Sequence, residues 1–167
     1  MAINIFEILG IISGYKQRYD TLKAEYDIKF GTPPDLAITE ATGGWVRGQL
    51  QQYFPAMTYI PLDNVYQLTD QNSFLNVVVW DWIDKKEYQR EKFDCDKFSI
   101  CFAAHCYEYI GIDQVGIIID WSSAHAYNLV LFPTGKPMLF EPQSDSLFAI
   151  SERDVQLYGL QNGVILL

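Results

Sequence analysis

Apolar residues at Ile5, Ile8, Leu9, Ile12, Tyr15, Tyr19, Leu22 and Tyr26 recur at three- and four-residue steps, the period of an amphipathic helix. The spacing predicts one long helix over residues 3–29. Gly10 and Gly14, each costing about 1 kcal/mol against alanine, allow a break around Ser13. The run Gly31-Thr32-Pro33-Pro34-Asp35 ends the helix, because proline cannot continue it and biases its predecessor toward extended backbone. The chain therefore divides into an N-terminal helical extension, 1–30, and a main domain, 31–167.

Beyond that boundary the pattern is mixed. In 41–53, Gly43, Gly44 and Gly48 argue for loop, whereas Trp45, Val46, Leu50 and Tyr53 would line a short helix; both readings stay open. Residues 59–68, interrupted by Pro61 and Asp63-Asn64, read as one or two short extended segments. Thr69 or Asp70 then caps a helix carrying Phe74, Val77, Val78 and Trp82, with strand as the alternative because Val77-Val78-Val79-Trp80 has high β-propensity.

The second half is clearer. Asp94 occupies an N-cap position, and Phe98, Phe102, Cys106 and Tyr109 follow at steps of four, four and three, predicting a helix over 95–109 closed by Gly111. Three strands follow at 114–120, 124–132 and 138–141, the last two joined by a turn at 133–136, and the tail 157–167 adds a final short strand. The fold class expected is α+β, with a helix packed on an antiparallel sheet.

Composition narrows the function. A length of 167 residues suits one domain, and 49% hydrophobic against 20% charged residues is a globular balance, not a disordered one. Twelve basic against 21 acidic residues leave a net charge of −9, which repels phosphate and anionic headgroups, so neither nucleic acid nor membrane is expected as a partner. The opening residues carry no basic n-region, and Ile8-Leu9-Gly10-Ile11-Ile12 falls far short of the roughly 18 apolar residues of a span, so a cytoplasmic location is expected. Cys95, Cys101 and Cys106 are odd in number and contain no Cys-x-x-Cys pair, which argues against a disulfide framework or zinc site.

One cysteine is placed for chemistry. Cys95 takes the first helical position, where unpaired N–H groups and the positive end of the helix dipole favour a thiolate, with the neighbouring Asp94 and Asp96 opposing it. His125 lies in the expected strand 124–132 between two alanines that leave its ring accessible. Glu141 ends the next strand, where a hairpin brings it level with His125 and lets it fix the imidazole tautomer. Gln89, six residues before Cys95, supplies an amide for a developing oxyanion. His105, Cys101 and Cys106 read as packing residues, and no cofactor is required.

The segments Phe93-Asp94-Cys95-Asp96-Lys97-Phe98-Ser99, Ala124-His125-Ala126-Tyr127-Asn128 and Phe140-Glu141-Pro142-Gln143-Ser144-Asp145 together resemble the papain-like protease domain of the fungal galactose-binding agglutinin type, and their order resembles the transglutaminase-like core. The resemblance spans about residues 60–150. It implies Cys95 as nucleophile, His125 as general base and acid, Glu141 as orienting residue and Gln89 as the oxyanion glutamine. It also implies calcium dependence, without assigning ligands among Asp94, Asp96 and Asp120. Asp96 departs from the tryptophan that usually follows a papain-type cysteine. The function expected is a cysteine hydrolase cleaving amide bonds in a peptide or protein substrate. The alternative is a non-catalytic binding or assembly protein that keeps the fold, using its 15% aromatic residues and the first helix as contact surface, the helix pairing on its own domain or on a second copy as a homo-oligomer.

Overall fold

A computed structural model describes Gln17, Arg18 and residues 31–167; the expected first helix lies outside the described residues apart from Gln17 and Arg18, which are helical. The unit described below is Pro34–Leu167. It begins with β1 (Thr39–Thr42) and α1 (Gly43–Tyr53), followed by β2 (Met57–Ile60), β3 (Val65–Leu68) and α2 (Gln71–Trp80). Then come α3 (Cys95–His105), β4 (Val115–Asp120), β5 (His125–Leu131), β6 (Pro137–Glu141), β7 (Ser146–Ala149) and β8 (Gly163–Leu166).

The open choice at 41–53 resolves as helix in spite of its glycines. Thr42 caps it, its Oγ1 accepting from the Trp45 N–H at 3.3 Å, and Val46 and Leu50, one turn apart, are buried. Burial of that stripe outweighs the backbone entropy of the glycines. Helix also prevails at α2, where the Asp70 carboxylate accepts from the N–H groups of Asn72 and Ser73. That helix stops at Trp80 and does not reach Trp82 as expected. Asp81 turns extended (φ −65°, ψ 151°) and its carboxylate accepts from the Ile83 N–H at 2.8 Å. The helix expected over 95–109 is α-helical to His105 and widens into a π turn, Cys106–Ile110, before Gly111 closes it with a left-handed φ of 77°.

The extended segments of 59–68 are β2 and β3, and they belong to different sheets. β3 pairs antiparallel with β1, whereas β2 is the edge of a six-stranded sheet of order β2-β8-β4-β5-β6-β7. The expected tail strand is β8, inserted between β2 and β4. It runs antiparallel to β4 and parallel to β2, so the sheet is mixed and not purely antiparallel. No local signal announces this pairing, because its two strands are joined only through the rest of the domain.

Helices cover both faces of the sheet, not one. Tyr127, Leu129, Leu131, Leu139, Ile118 and Ile165 pack with Val46 and Leu50 of α1. On the other face Val130, Phe132 and Phe140 pack with Phe74 and Val77 of α2 and with Phe98 and Phe102 of α3. The ring of Phe74 meets those of Phe102, Phe132 and Phe140 edge-on at centroid distances of 6.1, 5.9 and 5.8 Å, the geometry that aromatic quadrupoles favour.

Gly163 opens β8 opposite both Met57 and Asp120, and a Cβ there would run into the Ile119 carbonyl. A backbone oxygen in a sheet cannot move aside as a side chain can. Gly163→Ala should therefore destabilise the domain by about 1 to 3 kcal/mol, read as a lower urea midpoint with an unchanged slope; an unshifted midpoint would show that this strand start is not closely packed.

Candidate active site

The β5–β6 hairpin sets one part of the site. Its register pairs Asn128 with Phe140, so continuing it places Glu141 opposite Tyr127, with His125 its diagonal neighbour on the same face. The two are not level, yet the diagonal is short enough for long side chains, and His125 Nε2 lies 2.8 Å from Glu141 Oε2. An ionised carboxylate only accepts, so Nε2 carries the proton of that bond and Nδ1 is the remaining ring nitrogen.

Glu141 is 7% exposed, and both of its oxygens are occupied. Besides His125, Oε2 accepts from the Tyr158 hydroxyl at 3.2 Å. Oε1 accepts from the Gln143 N–H at 3.3 Å and from its Nε2 at 3.2 Å. Burial, followed by the Glu141 charge, pushes the Tyr158 phenol well above its ordinary range, which keeps it a donor at neutral pH. Rings of Tyr127 and Tyr158 lie 5.4 and 5.6 Å from that of His125 and restrict its rotation.

Asp120 holds this arrangement from behind. It is 1% exposed and accepts from the Leu160 N–H at 2.8 Å, the Tyr127 hydroxyl at 2.9 Å and the Ser122 N–H at 3.0 Å. Burial alone would raise its pKa, but those donors outweigh it and hold the carboxyl below its usual value. The Arg153 Nε donates to the Tyr158 carbonyl at 2.9 Å, fixing the loop from its other side.

Cys95 is the half-buried first residue of α3. Asp94 has the extended backbone of an N-cap, but its carboxylate does not cap the helix as expected. It accepts instead from the Glu91 N–H at 3.0 Å and from Lys97 Nζ at 2.8 Å, and the same ammonium bonds Asp96 at 3.0 Å. Hydrogen bonding with Asp96 and then Lys97 brings Asp94 down to about 2. Among the described residues the first N–H groups of α3 have no side-chain acceptor, which leaves them available to an incoming one.

Two contacts orient α3 over the sheet. Ser99 Oγ donates to the Tyr127 carbonyl at 3.0 Å, and eight residues further on Tyr107 donates to the carbonyl of Val115, the partner of Val130. The helix thus runs in the direction of β5, with its N-terminus toward the end that carries His125. Cys95 shares that end with the His125–Glu141 pair, while α3 packs on one face and the pair belongs to the other. Among the described residues no hydrogen bond joins Cys95 to either. Gln89 is exposed; its backbone closes a tight loop with Phe93 through two bonds of 2.8 Å, and its side chain makes no hydrogen bond to Cys95 or His125.

The other thiols differ. Burial and then the charge of Asp81 raise the pKa of Cys101, and burial raises that of Cys106 further. His105, one turn after Cys101, is a hydrogen-bonded packing residue: its Nδ1 lies 2.5 Å from buried Asp81 and its ring stacks on Trp82 at 5.1 Å. The three aspartates among which the resemblance leaves calcium ligands unassigned are engaged by other groups. Asp94 and Asp96 are bound to Lys97, Asp120 is filled by its donors, and among the described residues no three His, Cys, Asp or Glu side chains are grouped to hold a metal. Among those residues, too, no helix is long and apolar enough to cross a membrane.

Sequence reasoning missed Tyr158 and Gln143. Gln143 was within reach, since it follows Glu141 by two residues in a turn; Tyr158 lies 17 residues away in a loop with no motif.

No family model and no curated protein matches the chain. Solved structures do. The fold is similar to that of the PSL1a–E64 complex, with a TM-score of 0.61 at 19% identity over 77% of this chain and 51% of the other. It is equally similar to a Polyporus squamosus lectin bound to the human-type influenza-binding epitope, with a TM-score of 0.60 at 19% identity over 77% and 49%. The chain spans about half the length of these proteins. What is shared is an α+β fold with helices on a mixed six-stranded sheet.

Asp145, in the turn between β6 and β7, is pushed up to about 6 by burial and then by the charge of Asp84, with Asp81 adding to the repulsion and Lys85 opposing it. The folded state prefers its protonated form, so the stability it contributes is present at low pH and is lost as pH rises through about 6. Melting temperature should fall between pH 5 and 7 by about 1 to 3 °C more in the wild type than in Asp145→Asn, a small effect because the group is partly exposed; parallel curves would rule the residue out as a titrating contributor.

Proposed function

We propose that the chain is a papain-like cysteine hydrolase that cleaves amide bonds through Cys95, His125 and Glu141. The observation that carries the reading is the pairing of buried Glu141, both carboxylate oxygens occupied, with half-buried His125, at the end of the sheet toward which the uncapped N-terminus of α3 points. The likeness in fold to PSL1a, whose structure is a complex with E64, supports the same reading.

In this mechanism the Nδ1 of His125 takes the Cys95 proton, and the thiolate attacks the substrate carbonyl. The N–H groups at the start of α3 stabilise the oxyanion, with the Gln89 amide as a further donor when substrate orders it. His125 then protonates the leaving amine, and a water that it deprotonates hydrolyses the thioester. Glu141 holds the tautomer and offsets the imidazolium charge, and Tyr158 and Gln143 hold Glu141.

A non-catalytic binding role is the second reading, and its support is the exposure of large apolar side chains: Val79 is 85% and Trp121 60% exposed.

A fluorogenic peptide library, screened with and without added calcium, separates the two. The wild type should turn over at least one peptide, Cys95→Ala none, and Glu141→Gln should lower kcat by about 10² to 10⁴ with little change in KM or Tm. Absence of wild-type turnover in both conditions would favour the binding role.

A further inference from the structure

We propose that the cleft at the opposite end of the sheet binds a small organic anion with an apolar body. The cleft encloses about 690 Å³, inside the roughly 300 to 1,000 Å³ of small-molecule sites. It lies at the β5–β6 turn, on the order of 20 Å along the strand from His125; Arg153, which also holds the Tyr158 loop, is the one residue it has in common with the site above, and the proposal does not depend on the hydrolase reading. Its walls are apolar: Tyr53 of α1, Phe132, Pro133, Pro137 and Met138 of the hairpin, and Ile150 after β7.

The polar part of the lining selects the charge. Lys136 and Arg153 both line the cleft, and among the described residues neither is paired with a carboxylate. Arg153 is held by neutral acceptors alone, Nε on the Tyr158 carbonyl at 2.9 Å and Nη1 on the Ile150 carbonyl at 2.7 Å, which fixes the guanidinium without cancelling its charge. Asp70 also lines the cleft; its oxygens accept from Asn72 N, Ser73 N and Ser73 Oγ, neutral donors that leave its charge in place, so the lining carries two cations against one carboxylate. An apolar cavity with a net positive lining stands out in a chain of net charge −9. An anionic group gains their charge-assisted hydrogen bonds while its hydrocarbon displaces water from the walls. A cationic amphiphile of the same length gains only the second.

The test is calorimetric titration of the full chain with dodecanoate and with dodecyltrimethylammonium, both below their micellar concentrations, with backbone amide shifts recorded in parallel. Dodecanoate should bind once, at least tenfold more tightly than the cation. Its shifts should centre on residues 132–138 and 149–153. Lys136→Glu, at an exposed turn position, should weaken dodecanoate by about tenfold without lowering Tm; Met138→Trp should block it by filling the cleft, and if that variant does not fold, the shift map locates the site in its place. Absence of binding, equal affinity for the two amphiphiles, indifference to Lys136→Glu, or shifts centred elsewhere would each overturn the proposal.

Discussion

One buried polar stitch governs how the helix and the sheet meet. Ser99 and Asn128 are both inaccessible; Ser99 Oγ donates to the Tyr127 carbonyl, and the Asn128 amide donates to the carbonyls of Ser99 and Gly116 at 3.0 and 3.1 Å. The cluster packed around them on that face is mostly hydrocarbon and aromatic ring, a surface that resists separation but distinguishes poorly between registers. The stitch makes the distinction, because any slide of α3 along β5 would strand these groups away from water at about 1 to 3 kcal/mol each. Among the described residues Asn128 Oδ1 has no hydrogen-bond partner.

The consequences of that register reach the candidate site. With Ser99 fixed on Tyr127, the helix N-terminus, its unpaired N–H groups and Cys95 arrive at the end of the sheet where β5 begins. Asp120 organises the same end from the opposite face, drawing in the Tyr127 hydroxyl and the Leu160 N–H and so seating Tyr158 against Glu141. Apolar packing holds the middle of the sheet on both faces. The opposite end, at the β5–β6 turn, is left open as an apolar cleft with two cations on its lining.

Much of this was legible in the sequence where local rules decide. The helix at Cys95 and the strands β4 to β6 follow from apolar period and turn residues, and α2 from its Asp70 cap. What failed to show was non-local. The parallel pairing of β2 with β8 depends on residues more than a hundred positions apart, and the second helical layer, α1, was obscured by three glycines whose cost is outweighed by burying Val46 and Leu50. The same division runs through the site. His125 and Glu141 are one hairpin apart, so their contact could be expected, though as a diagonal and not a level pair. Tyr158 could not, because a loop residue brought in by Asp120 leaves no periodic trace. Asp94 reads as a cap by position, but Lys97, one turn along, competes for its carboxylate and wins.

The central claim is that Cys95 and His125 act on one another at the end of the sheet. The most direct measurement is the rate of alkylation of each cysteine by iodoacetamide from pH 5 to 9, by peptide mapping, in the wild type and in His125→Ala. Burial keeps the Cys101 and Cys106 thiols protonated, so the same chain supplies its own controls. The account predicts that Cys95 reacts much faster than either at neutral pH, and that removing the imidazole shifts its reactivity to higher pH while the fold survives. Labelling of Cys95 no faster than of the buried thiols, or a profile unchanged by His125→Ala, would contradict it.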